Sequence, residues 1–245
     1  MARADGDGTV WVDGGLSAAA AELLRLYLPL CQPTGSFMVG HLGQSLDGRI
    51  ATESGASHYV TGPVDIRHNH RMRALFDAII VGPSTAVLDD PQLTVRECDG
   101  DNPVRVVIDA ERSLPASLKL FHDGAAPTLL LCAADKVNGG GRIGDAEILG
   151  IARDAESLSP VAIKAVLAAR GLLRLYVEGG GVTVSRFLKA GCLDRLQVTV
   201  SPLIIGSGRP AIVLPEVATL TDGLRPAVRR FDFGDDMMFE CRFHG

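Results

Sequence analysis

A run of three glycines stands between a predicted strand and a predicted helix. The sequence Glu-Gly-Gly-Gly at 178–181 joins an apolar run ending at Val177 to a helical pattern that begins near Val182. Such a turn exposes unpaired backbone N–H groups and the positive end of the helix dipole, so it can bind a phosphate. A tight turn whose glycines only supply positive φ explains the same pattern. The turn lacks the GxGxxG fingerprint, which disfavours an ordinary Rossmann domain.

A second group of polar side chains follows another predicted strand. Residues 82–91 contain two hydroxyls and two adjacent carboxylates, among them Thr85 and Asp89. Arg96 lies shortly after this segment, and Arg73 lies on the helix predicted before the strand. Two arginines beside hydroxyl-bearing residues can hold a phosphate by fork-like hydrogen bonds. By composition alone, this pattern is better explained if both arginines are simply solvated.

The residue types that bind metals do not form a recognisable site. His68 and His70 are two positions apart on a predicted helix and therefore point to different faces. The five cysteines have no CxxC spacing, which argues against a structural zinc ion and against a disulfide framework. We therefore expect no metal ion, and we expect reduced thiols in a cytoplasmic protein.

The composition excludes several classes of protein. The chain has 245 residues, of which 47% are apolar and 22% charged, with a formal net charge of −5. That much apolar material with nearly balanced charge excludes a disordered chain. A membrane span is not expected, because the sequence has no run of about 18 apolar residues. The mild acidity argues against a nucleic-acid partner, whose binding surface would be basic.

Short runs rich in valine, isoleucine and leucine alternate with helical patterns from residue 36 onwards. One helix begins after Ser159 and ends before Gly171, and another spans 182–190. Strands that alternate with helices indicate a mainly parallel sheet covered on both faces. Residues 228–233 and 237–243 flank a Gly-Asp-Asp turn and predict a C-terminal hairpin. The other predicted strands are 37–42, 78–81, 104–108, 128–132, 174–177 and 195–200.

The beginning of the chain departs from this alternation. Ser17 can cap a helix over 18–28 that Pro29 would end. We therefore divide the chain into an N-terminal extension, 1–35, and a main domain, 36–245. The extension is either an oligomer contact or a helix that covers the edge of the main domain.

Several motifs occur in one order along the main domain, and together they are specific although any one alone would be weak. The motifs are the SLDG box within 44–51, Ser-Gly-Ala-Ser at 54–57, TAVLDDPQLTVR within 82–96, Glu-Gly-Gly at 178–180 and Ser-Pro-Leu-Ile-Ile-Gly at 201–206. On these motifs, the chain from Ser36 to the C terminus resembles the reductase domain of the riboflavin-biosynthesis deaminase–reductase, a pyrimidine reductase. With no HxE and no PCxxC motif, the chain is expected to act without a deaminase half.

The resemblance implies a three-layer α/β/α dihydrofolate-reductase-like fold with a mostly parallel mixed sheet. It also implies an NADPH-dependent reductase of riboflavin biosynthesis. The substrate would be 5-amino-6-(5-phosphoribosylamino)uracil, whose ribosyl group becomes ribityl when a hydride adds to C1′. Because relatives commonly dimerise, a homodimer is expected. The protein would contribute positioning and electrostatics.

By motif match, the resemblance assigns roles to individual residues. Ser57, Arg73 and Arg96 would hold the sugar phosphate, while Leu93 and Glu178 would line the pyrimidine and sugar pocket. The catalytic candidates are Glu178, His41 and Asp89. The residues expected to meet the cofactor are Gly43, Tyr59, Thr85 and Asp89, with Gly180, Gly181, Val182 and Thr183 at its pyrophosphate.

Two positions depart from the family pattern and keep alternatives open. His41 stands where the family usually has a lysine near the reacting sugar; a histidine there could donate a proton, since its ordinary pKa is closer to neutrality. In the competing interpretation it packs between strands and Glu178 handles the proton. Ala110 stands where relatives often have a serine near the adenosine phosphate, so NADH is an alternative to NADPH. The other functions considered are a reductase of a pterin or another phosphoribosylated heterocycle, and a catalytically silent binding protein.

Overall fold

The short β-rich runs of the sequence become strands, most of them in one large sheet. The computed structural model describes residues 2–4, 10–12, 15–33, 35–137, 141–155 and 157–243. Within these ranges the strands are β1 (Ala2–Ala4), β2 (Val10–Val12), β3 (Phe37–Ser45), β4 (Arg49–Thr52), β5 (Ala78–Val81), β6 (Val104–Ile108), β7 (Thr128–Ala133), β8 (Arg142–Ile143), β9 (Ala146–Ile151), β10 (Arg174–Glu178), β11 (Arg195–Ser201), β12 (Gly208–Pro210), β13 (Ala227–Phe233) and β14 (Asp236–Arg242).

The large sheet has the order β13-β14-β11-β3-β10-β5-β6-β7-β9-β8. Neighbouring strands from β11 through to β9 run parallel. The hairpin β13–β14 and the short β8 add antiparallel strands at the two edges. Strands such as β5 are apolar along their whole length because both faces of a parallel sheet are covered. The predicted mostly parallel mixed sheet with a C-terminal hairpin is confirmed.

Helices pack on both faces of this sheet and complete the three predicted layers. Two large apolar clusters lie between helices and sheet, one against α4 and α5 and the other against α1, α2 and α3. None of the helices in the described ranges is long and apolar enough to cross a membrane. The helices are α1 (Ala18–Cys31), α2 (Pro63–Leu75), α3 (Pro83–Asp89), α4 (Pro160–Ala169) and α5 (Gly181–Lys189).

Two helices differ from the sequence predictions. The prediction that Pro29 ends α1 is wrong, because the helix continues to Cys31 with Pro29 inside it. A proline removes one N–H from the helical ladder, and at this position the burial of Pro29 and Leu30 offsets that loss. No helix is predicted in the polar segment 82–91, yet the structure has α3 there. This helix begins at Pro83, and proline is favoured at the first position of a helix.

The helix of the N-terminal extension packs closely onto the main domain. Leu26 contacts the buried side chains of the C-terminal hairpin, and Leu30 belongs to one of the two large clusters. The Tyr27 hydroxyl lies 2.8 Å from His68 Nδ1 on α2. Helix α1 therefore covers one face of the main domain, while the division of the chain at residue 35 stays a prediction.

Candidate active site

The carboxyl ends of β3, β5 and β10 meet at one edge of the sheet. Strand β10 lies between the other two and is parallel to both, with Glu178 directly opposite His41 on β3. Helices α3 and α5 begin at this edge, immediately after β5 and β10. Ligands of open α/β sheets bind outside the carboxyl ends of the strands. The candidate site therefore lies where these three strands end.

The predicted glycine turn is present and adopts a backbone conformation that favours glycine. Gly179 and Gly180 have φ values of +64° and +66°, and α5 follows directly. A Cβ added to Gly180 would lie 3.0 Å from Thr85 Oγ1, and one added to Gly82 would lie 2.2 Å from Thr183 Oγ1. The structure thus brings Thr85, Gly180 and Thr183 together around two side-chain-free backbone positions. Such a cradle of backbone N–H groups and hydroxyls fits a pyrophosphate.

A pocket of about 390 Å³ lies beside the start of α5. Val182 and Thr183 line it from α5, and Ile108 and Ala110 line it from the end of β6. Its volume is within the range of small-molecule sites. A ligand whose phosphates lay on the glycine turn could therefore extend into this pocket.

Arg73 and Glu178 form a buried ion pair at the end of β10. Arg73 Nε donates to Glu178 Oε2 at 2.8 Å, and Nη2 donates to Oε1 at 2.5 Å. A third bond runs from Arg73 Nη1 to the carbonyl oxygen of Thr94 at 3.0 Å. Burial disfavours the charged guanidinium, but the carboxylate of Glu178 outweighs it and raises the Arg73 pKa above its ordinary value. Arg73 thereby fixes the orientation of the Glu178 carboxylate.

Arg96 lies beside this pair and is the more exposed of the two arginines. Its Nη1 donates to Thr94 Oγ1 at 2.6 Å, so Thr94 accepts from both guanidinium groups. The backbone N–H of Arg96 donates to His70 Nδ1 at 3.0 Å. Burial, together with the charges of Arg73 and Arg96, lowers the His70 pKa. The structure therefore places the two predicted arginines next to each other, with Glu178 engaging one of them.

Ser57 and Asp89, which are distant in sequence, lie together at the rim of the site. Ser57 Oγ is 3.4 Å from Asp89 Oδ1, and His58 Nε2 is 4.0 Å from the same oxygen. The neighbouring Tyr59 is 77% exposed.

Leu93 is almost fully buried and has a φ of +55°, a strained conformation for a leucine. Strain of this kind concentrates at functional segments.

His41 points into a buried polar cluster. It is 2% exposed, and its Nε2 lies 3.0 Å from Asp65 Oδ1 and 3.4 Å from Thr199 Oγ1. On the same face of β3, a Cβ added to Gly43 would lie 2.7 Å from Thr61 Cγ2, so this face of Gly43 is already covered by α2 and the turn before it. His41 is therefore hydrogen-bonded within this cluster, and its part in proton transfer stays a prediction.

Asp65 and Thr94 belong to the site, although neither is predicted from the sequence. An aspartate in the first turn of a helix is ordinary because it complements the helix dipole. Asp65 nevertheless contacts Thr199, 134 positions away. The local indication for Thr94 is that it lies two residues before Arg96 in the motif TAVLDDPQLTVR.

His68 links α1, α2 and the sheet beneath the site. It lies 2.8 Å from the Tyr27 hydroxyl through Nδ1 and 2.8 Å from Gln197 Oε1 through Nε2. Burial is the main reason that its pKa is lowered from 6.5 to about 4, and the neighbouring His41 lowers it further. His68 is therefore neutral in the folded protein at neutral pH.

Residues 37–226 match the family described as the RibD C-terminal domain. The chain belongs to this family. It is 31% identical over 220 residues to the 2,5-diamino-6-ribosylamino-4(3H)-pyrimidinone 5′-phosphate reductase of Methanothermobacter thermautotrophicus, covering 85% of this chain and 99% of that one. It is 32% identical over 195 residues to the riboflavin biosynthesis protein RibD of Bacillus amyloliquefaciens. That match covers 79% of this chain and 53% of the relative, so the chain spans about half of the longer RibD proteins.

Solved structures of this family share the fold. A deaminase and 5-amino-6-(5-phosphoribosylamino)uracil reductase from Thermotoga maritima superimposes with a TM-score of 0.71. The sequences are 23% identical, and the match covers 91% of this chain and 61% of the other. At this identity the likeness establishes the fold, in agreement with the predicted three-layer architecture.

The lowered pKa of His68 predicts a loss of stability in mild acid. Because the unfolded chain takes up this proton near pH 6.5 and the folded protein only near pH 4, the unfolded state is favoured as pH falls between these values. This should remove about 3 kcal/mol from the free energy of unfolding between the two values. The measurement is urea unfolding at several pH values for the wild type and for His68→Gln.

His68→Gln should flatten this part of the stability profile, because glutamine binds no proton but still offers hydrogen-bonding groups to Tyr27 and Gln197. His122→Gln, at an exposed histidine, is the matched control and should leave the slope unchanged. An unaltered slope in His68→Gln would show that the acid sensitivity arises elsewhere.

Proposed function

We propose that the chain is an NADPH-dependent reductase of riboflavin biosynthesis. It would convert the ribosyl group of 5-amino-6-(5-phosphoribosylamino)uracil to ribityl, with hydride delivered to C1′. The observation that carries this proposal is the cradle formed by Gly180, Thr85 and Thr183 beside the buried Arg73–Glu178 pair. A dinucleotide pyrophosphate site and a polar site for a second ligand thus lie at the same edge of the sheet. The archaeal relative is named as a reductase of 2,5-diamino-6-ribosylamino-4(3H)-pyrimidinone 5′-phosphate and the bacterial relative as a riboflavin biosynthesis protein, and these names support a phosphoribosylated pyrimidine as the substrate.

The chain's own residues would hold the cofactor by its phosphates. Backbone N–H groups of 180–183 and the hydroxyls of Thr85 and Thr183 would bind the pyrophosphate, and the pocket beside Ala110 would take the adenosine. Asp89 and the exposed Tyr59 stand at the rim, where the rest of the cofactor would pass. When bound, the nicotinamide supplies the hydride.

The two arginines would have different roles at the substrate. Because Glu178 already accepts hydrogen bonds from Nε and Nη2 of Arg73, Arg73 would mainly orient that carboxylate toward the pyrimidine and sugar. Arg96 is the more exposed and has donors left for a phosphate, and Ser57 would be a further donor. Leu93 would supply an apolar wall for the pyrimidine. His41 would act from the strand beside Glu178 as a proton or hydrogen-bond donor.

We also propose a cytoplasmic homodimer. Leu46, Leu203 and Ile204 are 60%, 41% and 73% exposed, and the N–H of Leu46 donates to the carbonyl of Leu203, so they form one apolar patch. We propose that a second copy of the chain packs against this patch and covers it. All five cysteines are free thiols, as suits a reducing compartment. Light scattering should give twice the mass of the chain, and a monomer at micromolar concentration would contradict the dimer.

The activity itself is tested by cofactor oxidation. The loss of reduced-nicotinamide absorbance should be rapid with NADPH and 5-amino-6-(5-phosphoribosylamino)uracil, slow with NADH, and undetectable with dihydrofolate or without substrate. Turnover of the pterin instead of the pyrimidine would overturn the proposed substrate.

Arg96→Ala should weaken binding of the substrate through its phosphate. A lost charge-assisted hydrogen bond is worth about 1.5–3 kcal/mol, so KM for the phosphorylated substrate should rise roughly tenfold to hundredfold. The dephosphorylated analogue should be affected much less. Arg225→Ala, at an exposed arginine remote in sequence, is the control. Equal effects on both analogues would remove Arg96 from the phosphate site.

Thr183→Val should weaken binding of NADPH without altering the backbone of the turn. Valine keeps the shape of threonine but removes the hydroxyl beside Gly82, so the Kd should rise about tenfold or more. Replacing Gly180 is less informative, since its φ of +66° makes any side chain strained there. Fluorescence titration measures the Kd, circular dichroism checks the fold, and Thr221→Val is the exposed control. An unchanged affinity would move the pyrophosphate away from α5.

A further inference from the structure

Asp65 is an almost fully buried carboxylate that accepts several hydrogen bonds. It is 1% exposed on the first turn of α2, and Thr61 Oγ1 donates to its Oδ2 at 2.7 Å. Thr199 Oγ1 donates to its Oδ1 at 2.6 Å, and His41 Nε2 lies 3.0 Å from the same oxygen. Burial by itself would raise the Asp65 pKa, but attraction to His41 and these hydrogen bonds lower it below its ordinary value. Asp65 is therefore ionised.

An ionised carboxylate constrains the imidazole that faces it. Carboxylate oxygens only accept hydrogen bonds, so His41 Nε2 must carry the proton in this contact. Thr199 cannot take over the role of Asp65, because its hydroxyl hydrogen already points to Asp65 Oδ1. The remaining polar atom of the ring is Nδ1. The contact thus leaves Nδ1 as the ring nitrogen that Asp65 does not hold.

The other groups around His41 do not replace this carboxylate. His68 on α2 is neutral, because its pKa is about 4. Tyr176 on β10 is neutral because burial raises its pKa well above the ordinary value. Glu178, opposite His41 on β10, is bound on both oxygens by Arg73. Asp65 is therefore the negative charge that the His41 ring contacts directly.

We infer that Asp65 is a positioning residue for His41. It accepts the Nε2–H of His41, fixes the orientation of the ring, and leaves Nδ1 as the nitrogen that serves the site. A second proton on the ring can then be held and donated only at Nδ1, where a lysine at position 41 would donate from its amine. The inference rests on the proposed function of His41 as a donor at the sugar.

Position 43 explains why the carboxylate can come so close to the strand. A Cβ on Gly43 would lie 3.5 Å from Asp65 Oδ2 and closer still to Thr61, which is why α2 can approach β3 here. The absence of a side chain at Gly43 therefore places Asp65 within reach of His41, two residues earlier on the same face of β3.

The test combines nitrogen NMR of the His41 ring with kcat and KM in wild type, Asp65→Asn and Asp232→Asn. Asp232 is an exposed aspartate on β13 and serves as the matched control. In wild type the neutral ring should carry its proton on Nε2. In Asp65→Asn an amide replaces the carboxylate that fixes this tautomer, so both tautomers should be populated and kcat should fall about tenfold or more. KM for NADPH should stay within about twofold, and Asp232→Asn should match wild type.

Rescue separates positioning from a merely structural role. In the double variant Asp65→Asn with His41→Lys, kcat should recover, since a lysine donates without a carboxylate to fix a tautomer. A neutral ring protonated on Nδ1, or an unchanged kcat in Asp65→Asn, would overturn the inference.

The NMR measurement on wild type decides the tautomer even if Asp65→Asn does not fold. It is also independent of turnover. An Nε2-protonated ring in a protein that does not reduce the pyrimidine would uphold the pair and reject the proposed function. A normal kcat in His41→Ala would reject the donor role and with it the inference.

Discussion

Charges buried between α2 and the sheet impose the constraint on which the rest of this structure depends. Removing one partner of a buried ion pair leaves an uncompensated charge and typically costs about 3–5 kcal/mol. Arg73 must therefore meet Glu178, and the carboxylate of Asp65 must meet hydrogen-bond donors such as His41 Nε2 and Thr199 Oγ1. These pairs set the position of α2 over the carboxyl ends of β3 and β10. This helix has five buried residues, of which Met72 is apolar and the other four are polar: Asp65, His68, His70 and Arg73.

The sheet was largely predictable because its local signals agree with its tertiary environment. An entirely apolar run such as 78–81 has few stable states other than a strand buried on both faces. Helix α4 has both a serine cap and a proline at its start, and its predicted bounds differ little from those observed. The prediction for α1 was wrong at Pro29, because the free-energy cost of a proline in a helix is offset by the burial around it, and that burial cannot be read from the sequence. Helix α2 has no clear apolar stripe, since its buried face is mostly polar.

The site was predictable only as a set of motifs. Thr85 and Thr183 are 98 positions apart, and their meeting around Gly82 and Gly180 follows from the parallel order of β5 and β10. The pairing of Arg73 with Glu178 could not be predicted, because an arginine that binds a phosphate and one that binds a carboxylate look the same in a sequence. Asp65 was missed for a related reason, since all its partners lie outside its own helix.

The central place of β3 in the sheet has a consequence for how the chain is made. β3 pairs with β10 and β11, whose residues begin at position 174, whereas β3 itself ends at Ser45. Synthesis at about 5–20 residues per second separates these events by roughly 6–25 s. During that interval β5, β6, β7 and β9 can already pair, while the edge of β5 stays open. Growing chains thus carry a half-sheet with one unprotected edge, which is a surface for chaperones or for aggregation.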